Sequence, residues 1–296
     1  MDLSLKIDTI EGISKKDFLK HYFYPQKPVV IKGLLNDTPA AQKWSFDYMK
    51  DKISSTMVGV FDNRRKNNSA YTFSDFKMPF SEFIDIIRRT EPCAYRLFLF
   101  NGFKHCPELK SDFPCPEIFR SVLGNMGLMF FGGQSTDVRM HFDVDMSNLL
   151  HTQFLGKKRA LLFSPEYSHL LYKVPFNTYS IADFDKTDYS KFPGLRYAKG
   201  YDIILAHGDS LFMPTGYWHY MRYLEGGFAV TYRKMAHSFE PICDGLMNLT
   251  IRLWFDKLMN RLNGDYWKLY KERAAYRNPS DTIKDLQNSG QLLVNE

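Results

Sequence analysis

The spacing of apolar positions changes character twice along this chain. Up to Arg120 it is mixed. Residues 15–20, Trp44–Lys52 and Phe83–Arg89 read as helices, with Ser45 placed to cap the second. Lys27–Gly33, a β-branched run between Pro28 and Gly33, reads as a strand closed by a turn, and Met57–Phe61 and Tyr95–Phe100 read as strands too. Asn101-Gly102 is a strong turn pair after the last of these. Asp62–Ala70 is polar and reads as a loop. Lys104–Glu117, with Pro107, Pro114 and Pro116, reads as a loop with short helical pieces.

From Leu128 strand-like runs recur with turn residues between them: Leu128–Phe131, Val138–Asp143, Leu149–Leu155, Arg159–Phe163, Tyr201–Ala206, Ser210–Met213, His219–Leu224 and Phe228–Lys234. Short strands at this spacing predict a mainly β protein, an antiparallel double-sheet barrel or jelly roll preceded by α/β elements. Residues 166–200 interrupt the pattern, and such an insert is expected at a barrel mouth. Beyond His237 apolar residues keep a four-residue step, as in Leu249/Leu253 and Trp254/Leu258, which predicts a helix over Asp244–Leu262. A second helix is expected over Asp265–Tyr276, ending near Asn278-Pro279. The expected organisation is a barrel domain over residues 1–236 and a helical tail over 237–296.

Composition narrows the function classes. With 44% hydrophobic and 16% aromatic residues the chain can bury a large core. The net charge of +6 is spread out, and Arg64-Arg65-Lys66 is the densest early basic run, so no nucleic-acid partner is expected. No run of about 18 apolar residues is present to span a membrane. The start, Met-Asp-Leu-Ser-Leu-Lys, lacks the apolar core of a signal peptide. Cys93, Cys106, Cys115 and Cys243 form no CxxC pair, and reduced thiols in a cytoplasmic protein are the expectation. Pairing or metal binding by Cys106 and Cys115 is the alternative.

The chemistry concentrates at Met140-His141-Phe142-Asp143 and Trp218-His219-Tyr220. His141 and Asp143 are two apart, so on a strand they point to one face. His219 brings a second imidazole. Two histidines and one carboxylate on a face with open positions are the ligand set of a non-haem Fe(II) oxygenase; a hydrogen-bonded His-x-Asp without metal is the competing reading. Such iron needs a cosubstrate that supplies electrons, in many enzymes 2-oxoglutarate, whose far carboxylate calls for a cation inside the barrel. Gly156-Lys157-Lys158-Arg159 offers three, against the alternative of an exposed basic hairpin. Strand alternation separates them: Lys158, Ala160 and Leu162 form one face, Lys157, Arg159, Leu161 and Phe163 the other. An interior tolerates one charge better than two, which puts Lys158 inside.

His141-Phe142-Asp143, Asn148-Leu149-Leu150, Gln153, Gly156-Lys157-Lys158-Arg159, Phe163-Ser164-Pro165, Gly208-Asp209-Ser210-Leu211-Phe212-Met213-Pro214, Tyr217-Trp218-His219 and Gly226-Gly227 follow in this order. Together they resemble the cupin-like subgroup of JmjC oxygenases, which includes the asparaginyl hydroxylase acting on hypoxia-inducible factor. The resemblance covers roughly residues 15–235 and includes Lys27–Gly33 and Trp44. It implies a double-stranded β-helix of cupin type. It implies that His141, Asp143 and His219 bind Fe(II), that Lys158 grips the far carboxylate of 2-oxoglutarate, and that Asn148 contacts the cosubstrate near the metal. Gly208-Asp209 and Pro214 then position His219. The spacings from His141 to Asn148 and from Asn148 to Gln153 are each one residue longer than the family pattern. Val138 and Phe98 stand where some members have a hydroxyl residue and Tyr, and Arg233 where they have an amide near the metal.

The expected function is therefore an Fe(II)- and 2-oxoglutarate-dependent dioxygenase, a hydroxylase of a protein side chain or small molecule that releases succinate and CO2. N-methyl demethylation on the same fold and a non-catalytic metal- or ligand-binding cupin are the alternatives. His151 is expected in the core or on the surface more than in the pocket, and His207 in a structural turn. Resembling proteins dimerise through helical tails, and Leu246, Leu249, Leu253, Trp254 and Leu258 offer an apolar face for a homodimer.

Overall fold

The computed structural model describes residues 1–65, 74–122 and 124–288. Its strands are β1 (Asp2–Leu5), β2 (Asp8–Glu11), β3 (Val29–Lys32), β4 (Met57–Asp62), β5 (Phe76–Pro79), β6 (Tyr95–Phe100), β7 (Met126–Gly132), β8 (Asp137–His141), β9 (Asn148–Leu155), β10 (Lys158–Phe163), β11 (Lys199–Leu205), β12 (Ser210–Met213), β13 (Trp218–Tyr223) and β14 (Gly227–Lys234). The polar loop read over Asp62–Ala70 lies outside the described residues from residue 66 onward.

A five-stranded sheet, β1-β11-β10-β13-β8, faces a nine-stranded one, β2-β3-β12-β9-β14-β7-β6-β4-β5. From β8 to β14 the chain passes back and forth between them with antiparallel pairings, the double-sheet barrel of the cupin type. Alternation sorts the side chains into three layers. Ala160 and Leu162 meet Leu149, Leu211 and Met213 between the sheets. On the far face of the larger sheet, Leu150, Phe154 and Phe228 pack under N-terminal residues including Phe18, Trp44 and Phe83.

The third layer corrects an expectation. The insert does not sit mainly at the mouth: Leu171, Tyr172, Phe184, Phe192 and Leu195 cover the outer face of the smaller sheet. The reason is in the strands themselves, because Leu161, Phe163, Trp218 and Tyr220 all face outward and are apolar enough to demand a cover. Asn101-Gly102 is likewise no hairpin turn. The Asn101 side chain accepts a hydrogen bond from Lys104 N at 3.1 Å and caps a helix at Gly102–His105.

After β14 come helices over Phe239–Met247 and Leu253–Asn288, the latter broken at Asn263, whose backbone is non-helical (φ −154°, ψ 76°). The helix does not end near Pro279 but runs through it. Ser280 Oγ and Thr282 Oγ1 donate to the carbonyls of Tyr276 and Asn278 at 2.9 and 3.0 Å, which offsets part of the backbone bonding that a proline disrupts. Tyr276 stacks on Phe192 of the insert at 5.7 Å, and Phe255 and Trp267 pack on Phe176. All four cysteines are free thiols. Among the described residues no helix is long and apolar enough to cross a membrane.

Candidate active site

The site starts from a register irregularity. Between the pairs Met221↔Val138 and His219↔His141, β13 advances two residues while β8 advances three. This bulge turns both Val138 and His141 toward the barrel interior, where strict alternation admits only one of them. His219 is the direct cross-strand partner of His141, and their ring centroids are 4.1 Å apart. Asp143 lies just past the strand end in a turn closed by Met146 N donating to Asp143 O at 3.0 Å.

His141 Nε2 is 3.8 Å from Asp143 Oδ1, and one ligand atom from each of His141, Asp143 and His219 lies within 4.8 Å of the others. Each Nδ1 faces a backbone carbonyl, Arg139 O at 2.8 Å for His141 and Tyr217 O at 3.1 Å for His219. A carbonyl only accepts, so Nδ1 carries the hydrogen and the bare Nε2 lone pair is the one available to a metal. Burial, reinforced by the facing His219, holds the His141 pKa well below its usual value, and burial also lowers that of His219. Two neutral imidazoles and a carboxylate fit a divalent metal. Among the described residues they are the only such cluster.

Arg233 completes the inner ring. Its Nη2 donates to Asp143 Oδ2 at 2.5 Å and its Nη1 to Asp145 Oδ2 at 2.8 Å. Asp143 is thereby left with Oδ1 toward the histidines, and Asp145 serves as the anchor of Arg233. We expect Arg233→Ala to weaken metal binding by about 10–100-fold, the usual effect of losing an outer partner of a ligand; calorimetric titration with Mn(II) measures it, and unchanged affinity contradicts the role.

The cavity at the triad is walled by Phe98, Phe130, Val138, Leu149, Met213 and Met221, with Lys158, His151, Thr231 and Tyr223 at its polar positions. Lys158 is only 2% exposed. Its Nζ is 3.2 Å from His151 Nε2 and 4.2 Å from the centre of the Tyr223 ring, its cross-strand neighbour. Burial alone lowers its pKa to about 7. Lys157 and Arg159 point outward and pair with Glu225 at 3.0 Å and Asp202 at 2.7 Å. The parity argued from alternation is the observed one.

Two sequence readings need correction. Asn148 does not reach the cavity. Leu149 and His151 occupy the inward positions of β9, so Asn148 faces the other way. There its Oδ1 accepts from Gln26 Nε2 at 3.1 Å and Thr215 N at 3.2 Å, and its Nδ2 donates to Met235 O at 3.4 Å. His151, read as a core or surface residue, is a cavity residue. The available signal was its parity with Leu149 on the strand between the candidate ligands and Lys158. His207 is structural, with Nδ1 donating to Phe154 O at 2.5 Å.

Comparison with known proteins finds similarity over most of the chain. A family model described as a cupin-like domain matches residues 15–261. The chain is similar to lysine-specific demethylase 8 of Xenopus tropicalis, 30% identical over 247 residues that cover 78% of this chain and 53% of that protein. It is 27% identical over 241 residues to tRNA wybutosine-synthesizing protein 5 of Homo sapiens, covering 73% of each. With arginine-specific demethylase JMJ22 of Arabidopsis thaliana the identity is 26% over 254 residues, 78% of this chain and 46% of the relative. The chain thus spans about half the length of the demethylases it matches.

Proposed function

We propose a function from one premise: the chain belongs to the cupin-like family, in its JmjC branch of oxygenases that use Fe(II) and 2-oxoglutarate. The proposal is that it hydroxylates a C–H bond of a protein side chain or small molecule, with His141, Asp143 and His219 as the iron ligands and Lys158 as the cation for the far carboxylate of 2-oxoglutarate. The observation that carries it is the convergence of these three donors within 4.8 Å, on the same cavity as a buried lysine whose pKa only burial has moved.

Iron and cosubstrate together supply an oxidant derived from O2, with succinate and CO2 as by-products. The protein's own part is binding and orientation. Nδ1–H bonds to Arg139 O and Tyr217 O fix the two imidazoles, and Arg233 fixes the carboxylate so that one oxygen faces the ligand position. Phe98, Phe130, Val138 and Met221 give the cavity an apolar wall, and charge interactions beside such a wall are stronger than in open water. Demethylation is a second reading, favoured by the names of the relatives, and it uses the same step: hydroxylating an N-methyl carbon leads to loss of formaldehyde. Succinate release with iron and 2-oxoglutarate tests the enzyme against a non-catalytic binding cupin. Formaldehyde in candidate substrate assays separates demethylation from a stable gain of one oxygen.

We further propose residues 1–236 as the catalytic unit and 237–296 as an assembly tail. Phe239, Trp254 and Leu262 are 81%, 64% and 69% exposed, and Leu246 and Leu249 lie beside them in sequence with more than a third of their surface open. A second copy of this chain is the occupant proposed for that face. Light scattering should give a dimer mass for the wild type and a monomer for Trp254→Glu; a wild-type monomer at high micromolar concentration contradicts it.

A further inference from the structure

Among the described residues the side-chain hydrogen-bond partner of Lys158 Nζ is His151, and His151 is held in turn by another side chain. His151 and Thr231 are direct cross-strand partners on β9 and β14, so the register alone brings them together. His151 Nδ1 lies 2.8 Å from Thr231 Oγ1, and Nε2 lies 3.2 Å from Lys158 Nζ. His151, Thr231 and Lys158 are 5%, 3% and 2% exposed, and all three line the cavity of the triad. The rest of this end is aromatic: Phe130 stands 6.2 Å from the imidazole, and the Tyr223 ring lies against the amine.

Such a row of hydroxyl, imidazole and amine has two proton arrangements. An ammonium has three donors and no acceptor. When Lys158 is charged, Nε2 must accept from it, Nδ1 must carry the hydrogen, and Thr231 Oγ1 must accept from Nδ1–H. The Thr231 hydroxyl hydrogen and two Lys158 hydrogens are then left to donate elsewhere. When Lys158 is neutral the row can run the other way, with Thr231 donating to Nδ1 and Nε2–H donating to Nζ. The second leaves an anion only the two N–H groups of an uncharged amine, whereas the first offers it the Thr231 hydroxyl and two N–H groups of a cation. A carboxylate, with two oxygens and about four acceptor positions, takes several donors at once.

We propose that His151 and Thr231 complete, with Lys158, the seat for the far carboxylate of the cosubstrate. His151 is a positioning residue that holds the ammonium in place and leaves the Thr231 hydroxyl as a donor. The inference rests on the cosubstrate reading above and adds to it the residues that make the far end selective. A 2-oxo acid that ends in a carboxylate engages the row, whereas a two-carbon chelator such as oxalate, held at the metal alone, cannot reach it.

The test is calorimetric binding of 2-oxoglutarate and of oxalate to Mn(II)-loaded protein, which binds without turning over. The variants are His151→Leu, His151→Gln, Thr231→Val and Thr231→Ser. His151→Leu and Thr231→Val are expected to weaken 2-oxoglutarate about tenfold or more, the scale of a lost hydrogen bond to a charged group. His151→Gln and Thr231→Ser, which keep a donor and an acceptor, should recover most of that loss. Oxalate and Mn(II) affinities should stay at wild-type values throughout. If wild-type protein binds Mn(II) and oxalate but not 2-oxoglutarate, the cosubstrate reading itself fails, and this proposal with it. If the wild type binds 2-oxoglutarate and the Leu and Val variants bind it equally well, the proposal alone is overturned. A parallel loss of oxalate or Mn(II) binding makes these residues merely structural and overturns it too.

Discussion

Lys158→Ala is expected to weaken 2-oxoglutarate binding by about 2–5 kcal/mol, the cost of leaving a buried carboxylate without its charged partner. That is roughly a 30-fold to several-thousand-fold rise in Kd, with the metal still bound. Lys157→Ala should change it less than about twofold, since Lys157 is exposed and paired at the surface with Glu225. The effect carries a pH signature. Burial brings the free Lys158 amine to a pKa of about 7, and a bound carboxylate favours the ammonium and pulls the value back up. Below about pH 7 the free protein already holds the proton, so affinity is level. Above it, binding must take up a proton, and affinity falls by about tenfold per pH unit until the pKa of the bound form is reached. The other titratable groups facing Nζ are His151 and Tyr223, and both stay neutral across this range. Burial, with Lys158 beside it, lowers the pKa of His151, and burial raises that of Tyr223. Titrations at pH 6, 7 and 8 in buffers of different ionisation heat read the proton uptake directly. A flat profile, or a Lys157→Ala effect equal to that of Lys158→Ala, contradicts the assignment.

The second large effect is on the metal. His141→Ala, Asp143→Ala and His219→Ala should each lower Fe(II) affinity by more than about 100-fold, beyond what loss of an outer partner produces. Asp143→Ala also removes one of the two described counter-ions of Arg233 and leaves Asp145, with a cation facing the place where a metal has to sit. His151→Ala, in the same cavity but outside the triad, should keep the metal. Anaerobic titration of the four variants decides the point, and wild-type affinity in any of the three triad variants contradicts the ligand set.

Much of this was legible in the chain because it rests on period two. The strands from β7 to β14 lie where apolar and polar residues alternate or run together, and the same alternation put Lys158 inside and Lys157 and Arg159 outside. The triad was legible as types and spacing, since His141 and Asp143 are neighbours in sequence. What joined His219 to them is strand register, and the bulge on β8 that turns His141 inward leaves no mark in the residues themselves. The facings of Asn148 and His151 escape the sequence for a related reason. One residue of extra loop length after Asp143 decides the parity of β9, and with it whether position 148 or 149 faces the cavity. The insert's own residues have little pattern and do not reveal where it packs; its position is dictated by the apolar outer faces of β10 and β13. At Pro279 local preference pointed to a helix end, and packing of Tyr276 on Phe192 together with the hydroxyls of Ser280 and Thr282 outweighed it.

The most direct measurement is succinate formation by the purified chain supplied with Fe(II), 2-oxoglutarate and O2, set beside Asp143→Ala and the wild type kept under nitrogen. An oxygenase built on this site forms succinate only when metal, cosubstrate and oxygen are all present, and the Asp143→Ala protein forms none. Wild-type protein that binds Fe(II) and 2-oxoglutarate yet forms no succinate in air, or succinate that persists in Asp143→Ala, contradicts it.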